Sequence, residues 1–323
     1  MTSVTPSRAD LRLRAFDWLL RRWGPSIGEM TLPQIQQLRA TRIPHNAVAN
    51  LVFGAPASDV AVHDRTITRT PRDLPLRVYQ PGMPGDRPVV VFFHGGGWVI
   101  GNIYQAEWLC SHVARNTGAV VVSAGYRLAP EHPFPTAVDD AYEATSWVAG
   151  HAAEVGGRAD RLAVMGASAG GNLVAVVCQR ARDEGGPRIV HQTLLYPATD
   201  MRPESRPPDQ LVDAPMLPLV DRKAYFDHYA GGDPDVNDPR LSPLLADSLA
   251  DLPPALIITA EHDPLRDEGR RYAERLRAAR TPARYTDYAG MVHGFMSYPG
   301  LASGARQAVA EICQELRATL TRS

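Results

Sequence analysis

The spacing of apolar positions changes character along the chain. Up to about residue 50 it is helical: Leu11, Phe16, Leu19 and Leu20 fall near a helical period, with Arg12, Arg14, Arg21 and Arg22 between them. Gly24-Pro25 ends that helix, and a second short helix is expected from Leu32-Pro33, proline suiting the first turn. A segment this short cannot bury a core of its own, so it is expected to lie on the rest of the chain, with Trp18 and Trp23 packed against the body.

From Val60 the pattern is that of strands. Val60-Ala61-Val62 and Thr66-Ile67-Thr68 fit an edge strand, and Leu76-Arg77-Val78-Tyr79 alternates with period two, which suggests an antiparallel start to a sheet. Short apolar runs follow at Val89–Phe93, Val120–Ser123, Leu162–Met165, Ile189–Tyr196 and Leu256–Thr259; almost free of charge, they read as strands buried on both faces. Helical patterns separate most of them, around Glu107–Asn116, Ala137–Ala149 and Leu173–Arg182. Repeated strand–helix–strand order predicts an α/β fold with a mostly parallel sheet covered on both faces. Residues 200–247 interrupt it: prolines recur from Pro203 to Pro239, and one helix is expected near Leu219–Tyr229. Beyond them a helix near Leu265–Ala279, a strand near Ala283–Asp287 and a final helix near Ala305–Leu320 complete the series.

The 323 residues, 44% hydrophobic and 21% charged, suit a globular α/β chain, and a net charge of −1 offers no basic footprint for nucleic acid. Cys110, Cys178 and Cys313 are too scattered for a metal site or a disulfide framework, which fits a reducing compartment. The N-terminal stretch mixes Arg and Asp into its apolar residues, unlike a signal peptide, and no run is long enough for a membrane span; a cytoplasmic protein is expected.

The candidate chemistry sits where strands end. Leu162–Leu173 reads as strand, Gly166-Ala167-Ser168-Ala169-Gly170, then helix, the context in which G-x-S-x-G holds a serine up at the carboxyl edge of a sheet. Small residues two before and two after the serine are required by the tightness of the turn, and the Ala169 amide would face a developing oxyanion. A serine hydroxyl needs a base. His293 follows the strand near Ala283–Asp287, and Asp263 follows Leu256–Thr259, so both belong to loops at the same edge. Asp267, Glu268 and Glu261 compete for the acid role, with Asp263 favoured as nearest the strand end; His262 is the rival base but adjoins the acid itself. His94-Gly95-Gly96-Gly97-Trp98, directly after Val89–Phe93, is a bare-backbone loop suited to oxyanion donors.

HGGGW (94–98), YRLAPEHPFP (126–135), GASAGGN (166–172), DPLRDEG (263–269) and VHGF (292–295) together resemble the hormone-sensitive-lipase-like family of α/β-hydrolase carboxylesterases. The resemblance implies an α/β-hydrolase fold with a central sheet of about eight strands and a helical cap. Residues 1–50 and the insertion 200–247 would form the cap, and 51–199 with 248–323 the catalytic domain. It further implies a Ser168–His293–Asp263 triad, an oxyanion hole from Gly95, Gly96, Gly97 and Ala169, and supporting roles for His94 and Glu131, the latter anchoring a loop. Two positions depart from the pattern: Ala167 stands where many relatives have Asp or Thr, and Asn102 follows Gly101 where Asp is common.

The expected activity is hydrolysis of short- to medium-chain carboxylic esters through an acyl-enzyme, with no cofactor and no metal. The N-terminal segment and the insertion are expected to wall the acyl pocket from opposite sides. A homodimer through the last strand and final helix is left open. An amidase or deacetylase would use the same machinery, whereas a non-catalytic receptor on this scaffold would be expected to lack the acid or the histidine.

Overall fold

The computed structural model describes residues 8–68, 73–82, 87–205 and 207–320. Helices α1 (Leu11–Trp23), α2 (Leu32–Ala40) and α3 (Ala47–Phe53) precede the sheet. Asp10 and Asn46 cap α1 and α3 by accepting from the amides of Arg12 and Ala49. The expected boundary at residue 50 falls inside α3.

Among the described residues the sheet has eight strands: β1 (Val60–Ile67), β2 (Leu74–Pro81), β3 (Val89–Phe93), β4 (Val120–Ala124), β5 (Leu162–Ala167), β6 (Ile189–Leu195), β7 (Ala255–His262) and β8 (Ala283–Val292). Their spatial order is β1-β2-β4-β3-β5-β6-β7-β8. β1 and β2 pair antiparallel, β2 pairs antiparallel with β4, and the remaining pairs are parallel. This is the mostly parallel sheet with an antiparallel start that the apolar pattern predicts. β8 runs past the expected Asp287 to Val292, so His293 leaves directly from the strand end.

The all-apolar run of β3 is explained by burial on both faces. Val89, Val91 and Phe93 pack with α5 (Thr136–Gly150), α6 (Ala169–Asp183) and α8 (Arg266–Ala278), through residues such as Ala141, Leu173 and Leu276. Val90 and Phe92 join the opposite core, under α4 (Glu107–Thr117) and α9 (Ala305–Leu320), through Leu109, Val113, Ile312 and Leu316. All three cysteines are free and buried. No helix among the described residues is long and apolar enough to cross a membrane.

Residues 200–247 carry α7 (Leu219–Ala230). Tyr229 stacks on Trp98 with ring centroids 4.3 Å apart, and its carbonyl accepts from Phe134 N at 2.8 Å. Buried Glu268 of α8 accepts from the amides of Thr199 and Asp200 and pairs with Arg222 of α7 at 3.0 Å. The N-terminal helices lean on the same region: Arg21 pairs with Asp213, and Asp17 accepts from Met216 N at 2.8 Å. Arg39 of α2 reaches Val99 O, Ala129 O and Glu131.

One expectation fails here. Trp18 and Trp23 do not pack on the body; they are 63% and 79% exposed. The inner face of α1 is supplied by Leu13, wholly buried, and by Phe16 and Asp17, which leaves both indoles on the outside.

Candidate active site

β5 delivers Ser168 and α6 starts at the next residue. Ser168 has φ 56°, ψ −117°, a conformation L-residues rarely adopt, which lifts its side chain out of the strand-to-helix turn. The turn closes only because its flanks are glycine: a Cβ on Gly166 would run into Gly170 O, and one on Gly170 into Phe93 O.

The loops after β7 and β8 bring the other candidates to this point. His293 Nε2 lies 2.9 Å from Ser168 Oγ, and His293 Nδ1 lies 2.7 Å from Asp263 Oδ2. Asp263 is fully buried, and its other oxygen accepts from Leu265 N at 2.8 Å, so the carboxylate is held in one orientation. With Nδ1–H donating to Asp263, Nε2 is left to accept from the serine hydroxyl. The competing acids are engaged elsewhere. Asp267 is half-exposed and faces Arg270, Glu268 binds the 199–200 backbone and Arg222, and Glu261 accepts from Gly290 N. His262 Nε2 lies 3.9 Å from Glu261, and no bond joins it to Ser168.

The loop after β3 approaches from the other side. Gly95 lies against Ala167 and Ser168. The amides of Gly96 and Gly97 have no acceptor among the described residues, and that of Ala169, first in α6, has none within the helix. His94 is held beneath this loop: its Nδ1 is 2.7 Å from Gly95 O, its ring stacks on Tyr126, and Tyr126 Oη donates to His94 O at 2.8 Å. Burial lowers the His94 pKa to about 4, so the ring is neutral at physiological pH. Glu131 stands apart from the serine. It receives both Arg39 nitrogens and Gln36 Nε2, tying the 126–135 loop to α2. Asn102 Nδ2 donates to Arg39 O and Thr41 O from the same side.

Ser168 and His293 line a cavity of about 510 Å³. Its apolar wall comes from the insertion, through Met201, Met216, Leu217, Leu219, Tyr225 and Phe226, and Tyr225 covers Gly97. The N-terminal segment was expected as the opposite wall. Among the described residues it contributes nothing to this lining; Tyr298 and Met216 stand between α1 and the cavity. It lines instead a second cavity of about 40 Å³, through Ile43, Pro44, His45 and Asn50, on the side of His94 and Gly95. Sequence reasoning also missed Tyr196, whose ring meets His293 edge-on at 5.1 Å. Its only signal was its place at the end of a β-strand run.

A family model described as the alpha/beta hydrolase fold matches residues 90–297. The chain belongs to the hormone-sensitive-lipase-like branch of that family. The carboxylic ester hydrolase LipN of Mycobacterium tuberculosis is 44% identical over 289 residues, 88% of this chain and 77% of that protein. Carboxylesterase NlhH of the same species is 44% identical over 254 residues, 77% of this chain and 79% of the relative. The crystal structure of a thermostable esterase from Pseudomonas putida superposes with a TM-score of 0.84 at 32% identity, covering 99% of this chain and 100% of that one. This chain is a carboxylic ester hydrolase acting on small-molecule esters.

Proposed function

We propose that Ser168, His293 and Asp263 carry out this hydrolysis as a catalytic triad, on short- to medium-chain acyl esters, in a reducing cytoplasmic compartment. The observation that carries the reading is the unbroken chain from Ser168 Oγ to His293 Nε2, 2.9 Å, and from His293 Nδ1 to Asp263 Oδ2, 2.7 Å, beneath a serine held at positive φ.

Ser168 Oγ attacks the ester carbonyl carbon as His293 Nε2 takes its proton. The carbonyl oxygen becomes an oxyanion and receives hydrogen bonds from the amides of Gly96, Gly97 and Ala169. Collapse breaks the bond to the alkoxide, which leaves as the alcohol with the proton returned by His293. Water then repeats the cycle on the acyl-enzyme: His293 takes its proton, the carboxylic acid is released, and Ser168 recovers its hydrogen. Asp263 fixes the imidazole tautomer and stabilises the imidazolium at both stages. Gly95 keeps the loop against the serine, and His94 supports it from below.

The apolar cavity supports the chain-length assignment, because about 510 Å³ falls in the range of small-molecule sites. The test is kcat/KM across p-nitrophenyl esters from acetyl to longer acyl chains, for the wild type, Ser168→Ala and Leu219→Trp. Acetyl to octanoyl esters should turn over, and Ser168→Ala should lose turnover while staying folded. Leu219→Trp, which narrows the cavity, should lose roughly tenfold for every two methylenes it displaces, with acetyl ester hydrolysis retained. Turnover confined to long acyl chains, or equal for the wild type and Ser168→Ala, contradicts the reading.

A further inference from the structure

The outward arc of α1 differs from the rest of the surface. Leu11, Trp18 and Trp23 are 72%, 63% and 79% exposed, and Leu19 is also exposed. Arg8, Arg12, Arg14 and Arg22 are exposed around them, and none of the four pairs with a carboxylate among the described residues. The nearby acids are already engaged: Asp10 accepts from Arg12 N and Ser303, and Asp17 binds Arg21 and Met216 N. In a chain of net charge −1, this face is locally cationic and apolar together.

We propose that the outer face of α1 docks on an anionic lipid surface. Indole rings with arginines between them suit the boundary between headgroups and acyl chains, where the ring is buried part-way and the guanidinium meets phosphate. Charge selects this occupant over a second copy of the chain, since two such faces would set unpaired arginines against each other, whereas an anionic headgroup layer complements them. The inner face of the same helix is fixed two layers from the ester site. Phe16 packs on Tyr298 at 5.2 Å and Asp17 holds Met216 N at 2.8 Å, and both Tyr298 and Met216 line the large cavity. Docking therefore brings the cavity wall to the lipid boundary, where apolar esters concentrate. The helix lies on the surface and does not span it.

The protein is tested by co-sedimentation with phosphatidylcholine vesicles containing about one third phosphatidylglycerol, and with pure phosphatidylcholine vesicles. The wild type should partition onto the anionic vesicles, and about 0.5 M salt should release it. Arg12→Gln/Arg14→Gln/Arg22→Gln should weaken partitioning about a hundredfold, and Trp18→Ala/Trp23→Ala about tenfold or more. Both variants should hydrolyse a soluble acetyl ester at the wild-type rate. Absence of wild-type binding, equal binding by the variants, or binding indifferent to salt overturns the proposal. Sedimentation velocity supplies a further arm: a wild-type oligomer that the tryptophan variant dissociates, without lipid binding, would make this face a self-contact instead. If the tryptophan variant does not fold, the arginine variant and the salt response decide.

Discussion

Asp263 and Asp267 lie within one helical turn of sequence, yet only one is oriented toward the histidine. Asp263 is buried with one oxygen on Leu265 N and the other on His293, while Asp267 is half-exposed beside Arg270 at 3.7 Å. Asp263→Asn leaves an amide facing Nδ1 and favours the wrong tautomer, so kcat should fall by about 10⁴ with the fold intact. Asp267→Asn should change kcat by no more than a small factor. Steady-state kinetics on the two variants, with circular dichroism as the control, checks this; a larger loss in Asp267→Asn would reassign the acid. Asp263 and His293 were readable in the sequence because each follows a segment with the pattern of a strand, Leu256–Thr259 and Ala283–Asp287, which fixes the edge its loop occupies. Tyr196 was not readable. Its contact with His293 depends on a backbone φ of 38° that no motif announces.

At the scale of elements, strands and long helices follow from apolar spacing because each buries a defined face. Short or exposed elements do not. α3 has seven residues, none of them buried, so its sequence carries no periodic stripe to detect. The outward turn of Trp18 and Trp23 was equally hidden, since Leu13 and Asp17 make long-range contacts that local spacing does not encode. α2 is held to the 126–135 loop by Arg39 and Glu131, and this link is pH-dependent. The Arg39 guanidinium, with Gln36, pulls the Glu131 carboxyl from 4.5 down to about 2. A carboxylate lowered on folding stabilises the protein above its unfolded pKa, and the contribution disappears as pH falls from about 4.5 toward 2. Glu131→Gln should therefore lower stability by roughly 1–2 kcal/mol at neutral pH, discounted for partial exposure. Thermal melts of the two proteins should converge as pH is lowered from about 6 to about 3, if this pairing is the source. A constant gap across that range would assign the effect to packing alone.

For the whole molecule, the parallel sheet determines where chemistry can occur, and the segments outside it divide the surroundings of the serine unequally. The insertion supplies the apolar wall of the large cavity, and the N-terminal segment lines the small one beside His94. Both segments were visible in the sequence as breaks in the strand–helix rhythm. Which of them faces the large cavity was not, because it depends on contacts such as Arg21 with Asp213, nearly two hundred residues apart. The mostly parallel sheet and the edge holding Ser168, His293 and Asp263 were legible, since each of the three follows a segment that reads as a strand, whereas the order of the strands came only from the structure. In the proposed mechanism all of this chemistry depends on one covalent event at Ser168 Oγ. The most direct measurement is mass spectrometry of the protein treated with an ester-mimicking fluorophosphonate, intact and after proteolysis. A single adduct per chain, mapped to Ser168, abolished in Ser168→Ala and strongly slowed in Asp263→Asn, is the expected result. An adduct on another residue, or labelling that persists in Ser168→Ala with parallel loss of esterase activity, would contradict the assignment of Ser168 as the nucleophile.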